Sequence, residues 1–325
     1  MMITLKRRAV LAACALALLP GLAAAQAAWP SKPIRLIVPY PAGGTSDNVA
    51  RLIAPMLQDK LGQPVVVDNR GGGGTVPATV MLAKAEADGH TLMVTSTPLA
   101  INETLIKDLP YKTLTDVQPV AVVAQVPLVM IVNPSSKART VAEFVALARK
   151  NPGKLTYGSS GNGGSPHLSM EMFQSMTQTK LVHVPYKGSA PAVFDLVAGQ
   201  TDVVVDTLFL TQQQVTAGKA RAIAQLGAKR SALMPEVPTL QEAGLQGFDI
   251  SSWFMLVAPG ATPQPVVQKL NALVNEFIAQ QKTKDVLAKQ GLEPVGGSPA
   301  DAAAFLKANV ARFGDAVKRA NVTTD

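Results

Sequence analysis

Cysteine is almost missing from this sequence: the 325 residues contain one, Cys14. No intrachain disulfide framework can form, and thiol chemistry has a single candidate. Histidine is scarce as well, with His90, His167 and His183 as the whole set. None stands in an HExxH or CxxC type of spacing, so no metal site and no cofactor are expected. A Gly-x-Ser-x-Gly elbow is lacking. The acids are spread without an obvious general acid/base pair, so a catalytic role is not expected. Basic residues form no tract, and no nucleic-acid partner is expected. Aromatics make up only 5% of the chain and charged residues 16%.

What is present starts with a leader. Lys6, Arg7 and Arg8 form a basic n-region, and Ala9 to Leu19 an apolar run ended by Pro20 and Gly21. Small residues follow at Ala23 to Ala25 and Ala27. Residues 1–28 therefore read as a cleavable secretory signal peptide, which places the mature chain in the periplasm. The apolar run is too short for a transmembrane anchor, which needs about 20 residues. Arg7-Arg8 has poor twin-arginine flanks. Leu11 to Cys14 resembles a lipoprotein box, but cleavage there would leave almost no apolar run before Cys14. Removing the three basic leader residues takes the formal charge from +8 to about +5. That excess favours anions by steering, or is simply a solvated surface.

The remaining length suits two domains. Strand and helix alternate from Ile34 onward, as expected of a largely parallel sheet covered on both faces. The pattern predicts strands at Ile34–Val38, Pro64–Asp68 and Thr91–Val94. Helices are predicted near Asn48–Leu61 and Val76–Ala87. A second series predicts strands at 128–132, 155–158, 182–185, 202–206 and 221–226, with helices between. Leu128 to Pro134 and Phe254 to Pro259 are both apolar runs ending at a proline. They look like paired crossover strands through which the chain leaves one lobe and returns to it. Sequential domains are the alternative.

Two glycine- and hydroxyl-rich loops join strand to helix: Pro39 to Asp47 and Tyr157 to His167. Such loops lie at the carboxyl ends of strands, where ligands bind in open α/β sheets. Glycine admits close backbone approach, and the following helix points unpaired N–H groups at a guest, for which a carboxylate is the simplest choice. Helix capping by Thr45, Ser46, Asp47 or Ser165, with Pro166 at the first helical position, would explain each loop as well. Arg70-Gly71-Gly72-Gly73-Gly74-Thr75 fails both the dinucleotide and the P-loop tests. An enzyme acting on a small carboxylate or a nucleotide is the alternative function. His90 and His183 read as structural, His167 as either ligand or support, and Trp253 as packing.

These residues carry a resemblance over nearly the whole mature chain. Trp29 to Arg35, Pro39-Tyr40-Pro41-Ala42-Gly43-Gly44, Asp68-Asn69-Arg70 and Asp88 to Leu92 are part of it. Tyr157-Gly158-Ser159, His183 to Gly188, Gly199 to Asp202, Pro235 to Thr239 and Glu242-Ala243-Gly244 complete it. The sequence resembles the Bug-type (TctC-like) extracytoplasmic solute receptors of tripartite tricarboxylate transporters. The resemblance implies an α/β, two-lobed periplasmic-binding-protein (Venus flytrap) fold with two crossover strands. Lobe one would comprise 29–128 and 252–325, and lobe two 129–251. It implies a monomer that hands a small carboxylate to membrane permease subunits. The carboxylate would be a di- or tricarboxylate, an amino acid or an aromatic acid. The implied ligand-binding set is Tyr40, Ala42, Gly43, Gly44, Thr45 and Asp47 in the first loop, with Thr95 and Ser96 at a strand end. Ser159, Ser160, Asn162, Ser165 and His167 belong to the second loop. Gly188 and Ala190, then Asp206 and Thr207, complete the set. Departures from the family pattern are Tyr40, Ser46, the four glycines before Thr75, and Val205. For Asp206 three roles stand open: accepting from a ligand amine or hydroxyl, capping Leu208 or Phe209, or pairing with a basic neighbour.

Overall fold

The computed structural model describes residues 29–323. Residues 1–28, expected to be a signal peptide, lie outside the described residues, and Cys14 with them. Among the described residues ten strands and ten α-helices build two α/β lobes on one shared strand pair. In the first lobe β1 (Ile34–Val38) pairs in parallel with β2 (Val65–Asn69) and β3 (Thr91–Ser96). Helices α1 (Thr45–Leu61), α2 (Val76–Ala83) and α3 (Pro98–Leu105) connect them or follow. Four of the five β1 residues are fully buried, as expected of a parallel strand covered on both faces. Helix α1 turns Val49, Ala50, Ile53 and Leu57 inward at helical spacing. It ends at Gly62, which is left-handed (φ 70°) and donates to Gln58 O at 2.9 Å.

The main departure from the sequence reading is β4, which runs from Val117 to Val132 rather than starting at Leu128. Its first part pairs with β9 (Ser251–Pro259) and β10 (Glu293–Gly296). From Leu128 onward it pairs with β7 (Val203–Thr207), and from Val129 with β8 (Arg221–Gln225). One continuous strand thus belongs to both lobes. β9 lies antiparallel to it and joins β3, so each lobe's sheet is mixed rather than largely parallel. The second lobe is completed by α4 (Val141–Lys150), β5 (Thr156–Ser159), α5 (Ser165–Thr177), β6 (Val182–Pro185), α6 (Ser189–Val197) and α7 (Leu208–Thr216). Helices α8 (Gln264–Ala279), α9 (Gln281–Lys289) and α10 (Pro299–Arg319) return to the first.

The crossover is a packed element, not a linker. Along β4, Leu128, Met130 and Val132 face one apolar cluster while Val129 and Ile131 face the other. All five are fully buried, each contributing about 1.5–3 kcal/mol of transfer free energy. Trp253 on β9 is 1% exposed, donates to Asn309 Oδ1 at 3.2 Å and meets Phe305 edge-on, so it packs the crossover. His90 accepts from Ser31 N–H on Nε2 at 3.1 Å, a structural role. Among the described residues no helix is long and apolar enough to cross a membrane.

Candidate functional site

The strand ends and their loops from both lobes meet around a narrow cleft. Lobe one contributes the first loop and the end of β3. Lobe two contributes the second loop and the starts of α6 and α7. Three of these helices begin at glycine: Gly44, Gly164 and Gly188 are the N-caps of α1, α5 and α6. The fourth, α7, begins at Thr207. None of the four has a side-chain cap. The first hydrogen bond of α1 runs from Asn48 N–H to Gly44 O at 3.0 Å. The N–H groups of Thr45, Ser46 and Asp47 therefore have no acceptor within the helix. Capping as the reason for the hydroxyl-rich loops does not hold. Gly164 rather than Ser165 is the N-cap, and Ser165 and Pro166 occupy the first turn.

Eleven of the predicted residues line this cleft: Tyr40, Ala42, Gly44, Thr45, Ser96, Ser160, Ser165, Gly188, Ala190, Asp206 and Thr207. Tyr40 shares a 3.0 Å hydrogen bond with Ser96 across the loop. Thr45 Oγ1 and Thr207 Oγ1 lie 2.7 Å apart, joining the lobes directly. Asn162 lines the adjoining cavity instead.

Five other predicted residues do not line the cleft: Gly43, Asp47, Thr95, Ser159 and His167. Gly43 is left-handed (φ 88°) and donates to Asp47 Oδ2 at 2.9 Å, so it shapes the turn. Asp47 also receives Arg51 Nε at 2.9–3.0 Å and Asn69 Nδ2 at 3.0 Å, and Asn69 donates to Tyr40 O. Burial works against the charged Asp47, but these donors outweigh it and hold its carboxyl below the usual range. Thr95 is 1% exposed and paired opposite Met255 in the sheet. Ser159 Oγ accepts from Gly161 N–H at 3.1 Å and lies 2.6 Å from His183 Nε2. His167 accepts from Gly163 N–H on Nδ1 and stacks on His183, with ring centroids 4.2 Å apart and planes within 6°. Tyr157 continues the stack at 4.6 Å from His183. Burial lowers His167 to about 4. Burial, aided by His167, lowers His183 to about 3. Both imidazoles are neutral supports beneath the second loop.

No Lys or Arg lines the cleft. Its one carboxylic acid is Asp206, 0% exposed. Asp206 Oδ1 accepts from Thr207 N–H at 2.7 Å and Thr207 Oγ1 at 3.2 Å. Neither Leu208 nor Phe209 N–H reaches it, so capping of those residues is set aside. No ion pair to Asp206 forms among the described residues, which sets aside the basic neighbour too. Oδ2 makes no hydrogen bond of normal geometry. Burial raises Asp206 to about 6, against the Thr207 N–H and the Ser189 and Thr207 hydroxyls, which favour its charged form.

Sequence reasoning missed the floor of the cleft: Leu128, Ser252 and Phe254, all on the crossover strands. Leu128 and Phe254 stand at the starts of the two apolar runs, Ser252 lies outside both, and nothing in the local sequence marks any of the three as facing a cleft.

The chain matches the model of the tripartite tricarboxylate transporter family receptor over residues 49–322. It is 38% identical over 292 residues to protein BugT of Bordetella pertussis, covering 89% of this chain and 90% of that one. A structure of R. palustris Rpa4515 with adipate superposes with a TM-score of 0.88 at 37% identity, covering 91% and 99% of the two chains. MatC of Rhodopseudomonas palustris with bound malate gives 0.85 at 30% identity, covering 89% and 100%. The family and its structural neighbours are solute-binding receptors rather than enzymes. By the extent of the family match and the shared two-lobed architecture, this chain belongs to the tripartite tricarboxylate transporter receptor family.

Proposed function

We propose that this protein captures a small carboxylate in the periplasm and delivers it to the membrane permease subunits of a tripartite tricarboxylate-type transporter. One observation carries the reading. Four helix N-termini without side-chain caps, from both lobes, converge on a cleft that no basic side chain lines. Such ends present N–H donors and positive dipole ends, which suit a carboxylate without a counter-cation. The adipate and malate carried by two structural neighbours support the ligand class. The proposed contacts are the eleven cleft residues, with Asp206 Oδ2 accepting from a hydroxyl or amine on the ligand. The change in β4 pairing at 127/128 supports lobes at 29–128 with 252–325 and at 129–251. The protein acts as a monomer after loss of residues 1–28.

Calorimetry of the purified protein with succinate, malate and adipate tests the reading, alongside mass spectrometry of ligand released on unfolding. Binding of at least one carboxylate is expected. Gly44 has no neighbour nearer than 4.0 Å to an added Cβ and a negative φ, so Gly44→Ala folds normally. Its side chain blocks approach to the start of α1 and abolishes that binding. Released ligand that is not a carboxylate, with no heat from any acid, would overturn the proposal.

A further inference from the structure

A groove lies behind the cleft, on the other face of the same two crossover strands. On β9, Ser252 and Phe254 line the cleft while Ser251 and Trp253 line the groove. On β4, Leu128 lines the cleft while Gln125 and Pro127 line the groove. Successive side chains of a strand point to opposite faces, so this strand pair is the floor of both spaces. The walls of the groove come from both lobes. Lobe two supplies Gly227 to Lys229 and Asp249, and lobe one supplies Glu293 on β10 and one face of α10.

The two spaces stand in opposite states. The cleft encloses about 40 Å³ and the groove about 570 Å³. The lobes touch across the cleft at Thr45 and Thr207, and Asp206 inside it is wholly buried. A guest therefore enters only when the lobes part. Bending the shared strands to widen the space on one face narrows the space on the other.

Four charged side chains line the groove: Lys229 and Asp249 from lobe two, Glu293 and Arg312 from lobe one. None of them makes an ion pair among the described residues. Asp249 Oδ1 accepts from Ala228 N–H at 3.0 Å, and the Arg312 guanidinium lies 5.0 Å from the centre of the Phe313 ring. Each lobe thus brings one acid and one base. The only attractive pairings between the lobes are Lys229 with Glu293 and Asp249 with Arg312. With the cleft shut these partners stand apart, and a narrowing groove brings them together.

We propose that these four residues form a latch on the back of the hinge, which pairs as the cleft opens and holds the ligand-free receptor open. The latch never touches the ligand. It sets affinity by linkage, because its pairs must break before the cleft can shut on a guest. Exposed ion pairs are individually weak, which suits a device that has to release. The inference goes beyond the carboxylate reading and does not depend on the chemistry of the ligand.

The test measures the distance between spin labels on Lys107→Cys and Lys187→Cys, two exposed positions on opposite lobes, in ligand-free protein lacking residues 1–28. That chain holds no other cysteine. Affinity for malate and adipate is measured beside it. Lys229 and Glu293 are exposed, so Lys229→Glu and Glu293→Lys both fold. Each is expected to shift the ligand-free distance toward the shorter, closed value. Each should also tighten malate or adipate binding by up to about fivefold, the scale of an exposed ion pair. The double variant restores opposite signs and should return both readouts to those of wild type. Single variants that leave the distance unchanged or lengthen it would overturn the latch, as would a double variant that does not recover. If wild-type protein binds neither acid, the carboxylate reading fails while the label distance still decides the latch.

Discussion

The two glycine- and hydroxyl-rich loops border one cleft from opposite lobes, yet they are held by opposite physics. The first is held by charge: Asp47 gathers Gly43 N–H, Arg51 and Asn69, and Asn69 reaches on to Tyr40 O. The second is held by neutral rings: Tyr157, His183 and His167 stack beneath it, with His183 at Ser159 and His167 at Gly163. An ionic clasp tolerates partial exposure, and Arg51 is half exposed. A ring stack needs burial and stays neutral because of it. Equivalent loop geometry in a closed receptor therefore does not imply equivalent support, and the two loops should fail under different conditions.

Acid should separate them most. The imidazoles titrate near 6.5 when exposed but near 4 and 3 in the fold, so the unfolded chain binds more protons in between. Stability then falls as pH drops from about 6.5, by up to about 1.4 kcal/mol per pH unit for each imidazole. Asp47 has a lowered carboxyl, so its contribution is present above about pH 4 and is lost only as pH falls through its folded value. Hydrogen exchange at pH 7, 5 and 4 should show residues 159–167 losing protection before residues 40–47. Simultaneous loss in both loops would break the comparison.

Asp47→Ala strips three donors of a shared, nearly buried acceptor and should cost about 3 kcal/mol in denaturant unfolding. Carboxylate binding should fall with it, because Tyr40 and Gly43 lose their anchor. High salt should reproduce part of this loss in wild-type protein and none of the next. His167→Ala leaves Gly163 N–H unpaired and shortens the stack, at about 2 kcal/mol. His167→Asn, which can still accept from Gly163, should recover part of that. If His167→Ala proves salt-sensitive or costs nothing, the neutral-support assignment is wrong.

Asp206 belongs to neither loop and gives the smallest effect on stability. Its folded value, near 6, lies above its ordinary 3.8, so ionising it weakens the fold above that range. Asp206→Asn should therefore raise ligand-free stability at pH 7.5 by on the order of 1 kcal/mol, with the gain gone below about pH 4. Hydroxy- and amino-substituted acids should lose affinity in this variant relative to their unsubstituted parents. A lower melting temperature at pH 7.5 would show instead that the carboxylate is structural.

Much of this was legible from the chain alone. The alternation of apolar strands with helices located nearly every element of the sheet, and the paired proline-ended runs located the crossover. Glycine-hydroxyl loops located the cleft from both sides. The limits of β4 were not legible, because Val117 to Pro127 interleaves Gln118, Pro119 and Gln125 with apolar residues and shows no simple period. Its partners β9 and β10 come from far along the chain. The sequence does not choose between guest contact and loop support for Asp47 and His167. A polar residue in a binding loop can face the guest or hold the loop, and local sequence does not encode direction.

Composition and periodicity by themselves determined the class of fold, the lack of a catalytic or metal motif in the sequence, and two glycine- and hydroxyl-rich loops between strand and helix. Those properties follow from local rules: strand period, turn chemistry and helix starts. Tertiary structure alone decided that four uncapped helix starts from two lobes share one cleft. It also decided that His167 and His183 stack although 16 residues apart, and that Thr45 meets Thr207 across 162. Burial and charge depend on what the rest of the chain brings near a residue. That is why Asp206 and Asp47, both carboxylates at loop ends, are driven in opposite directions, one toward neutrality by desolvation and one toward ionisation by its donors.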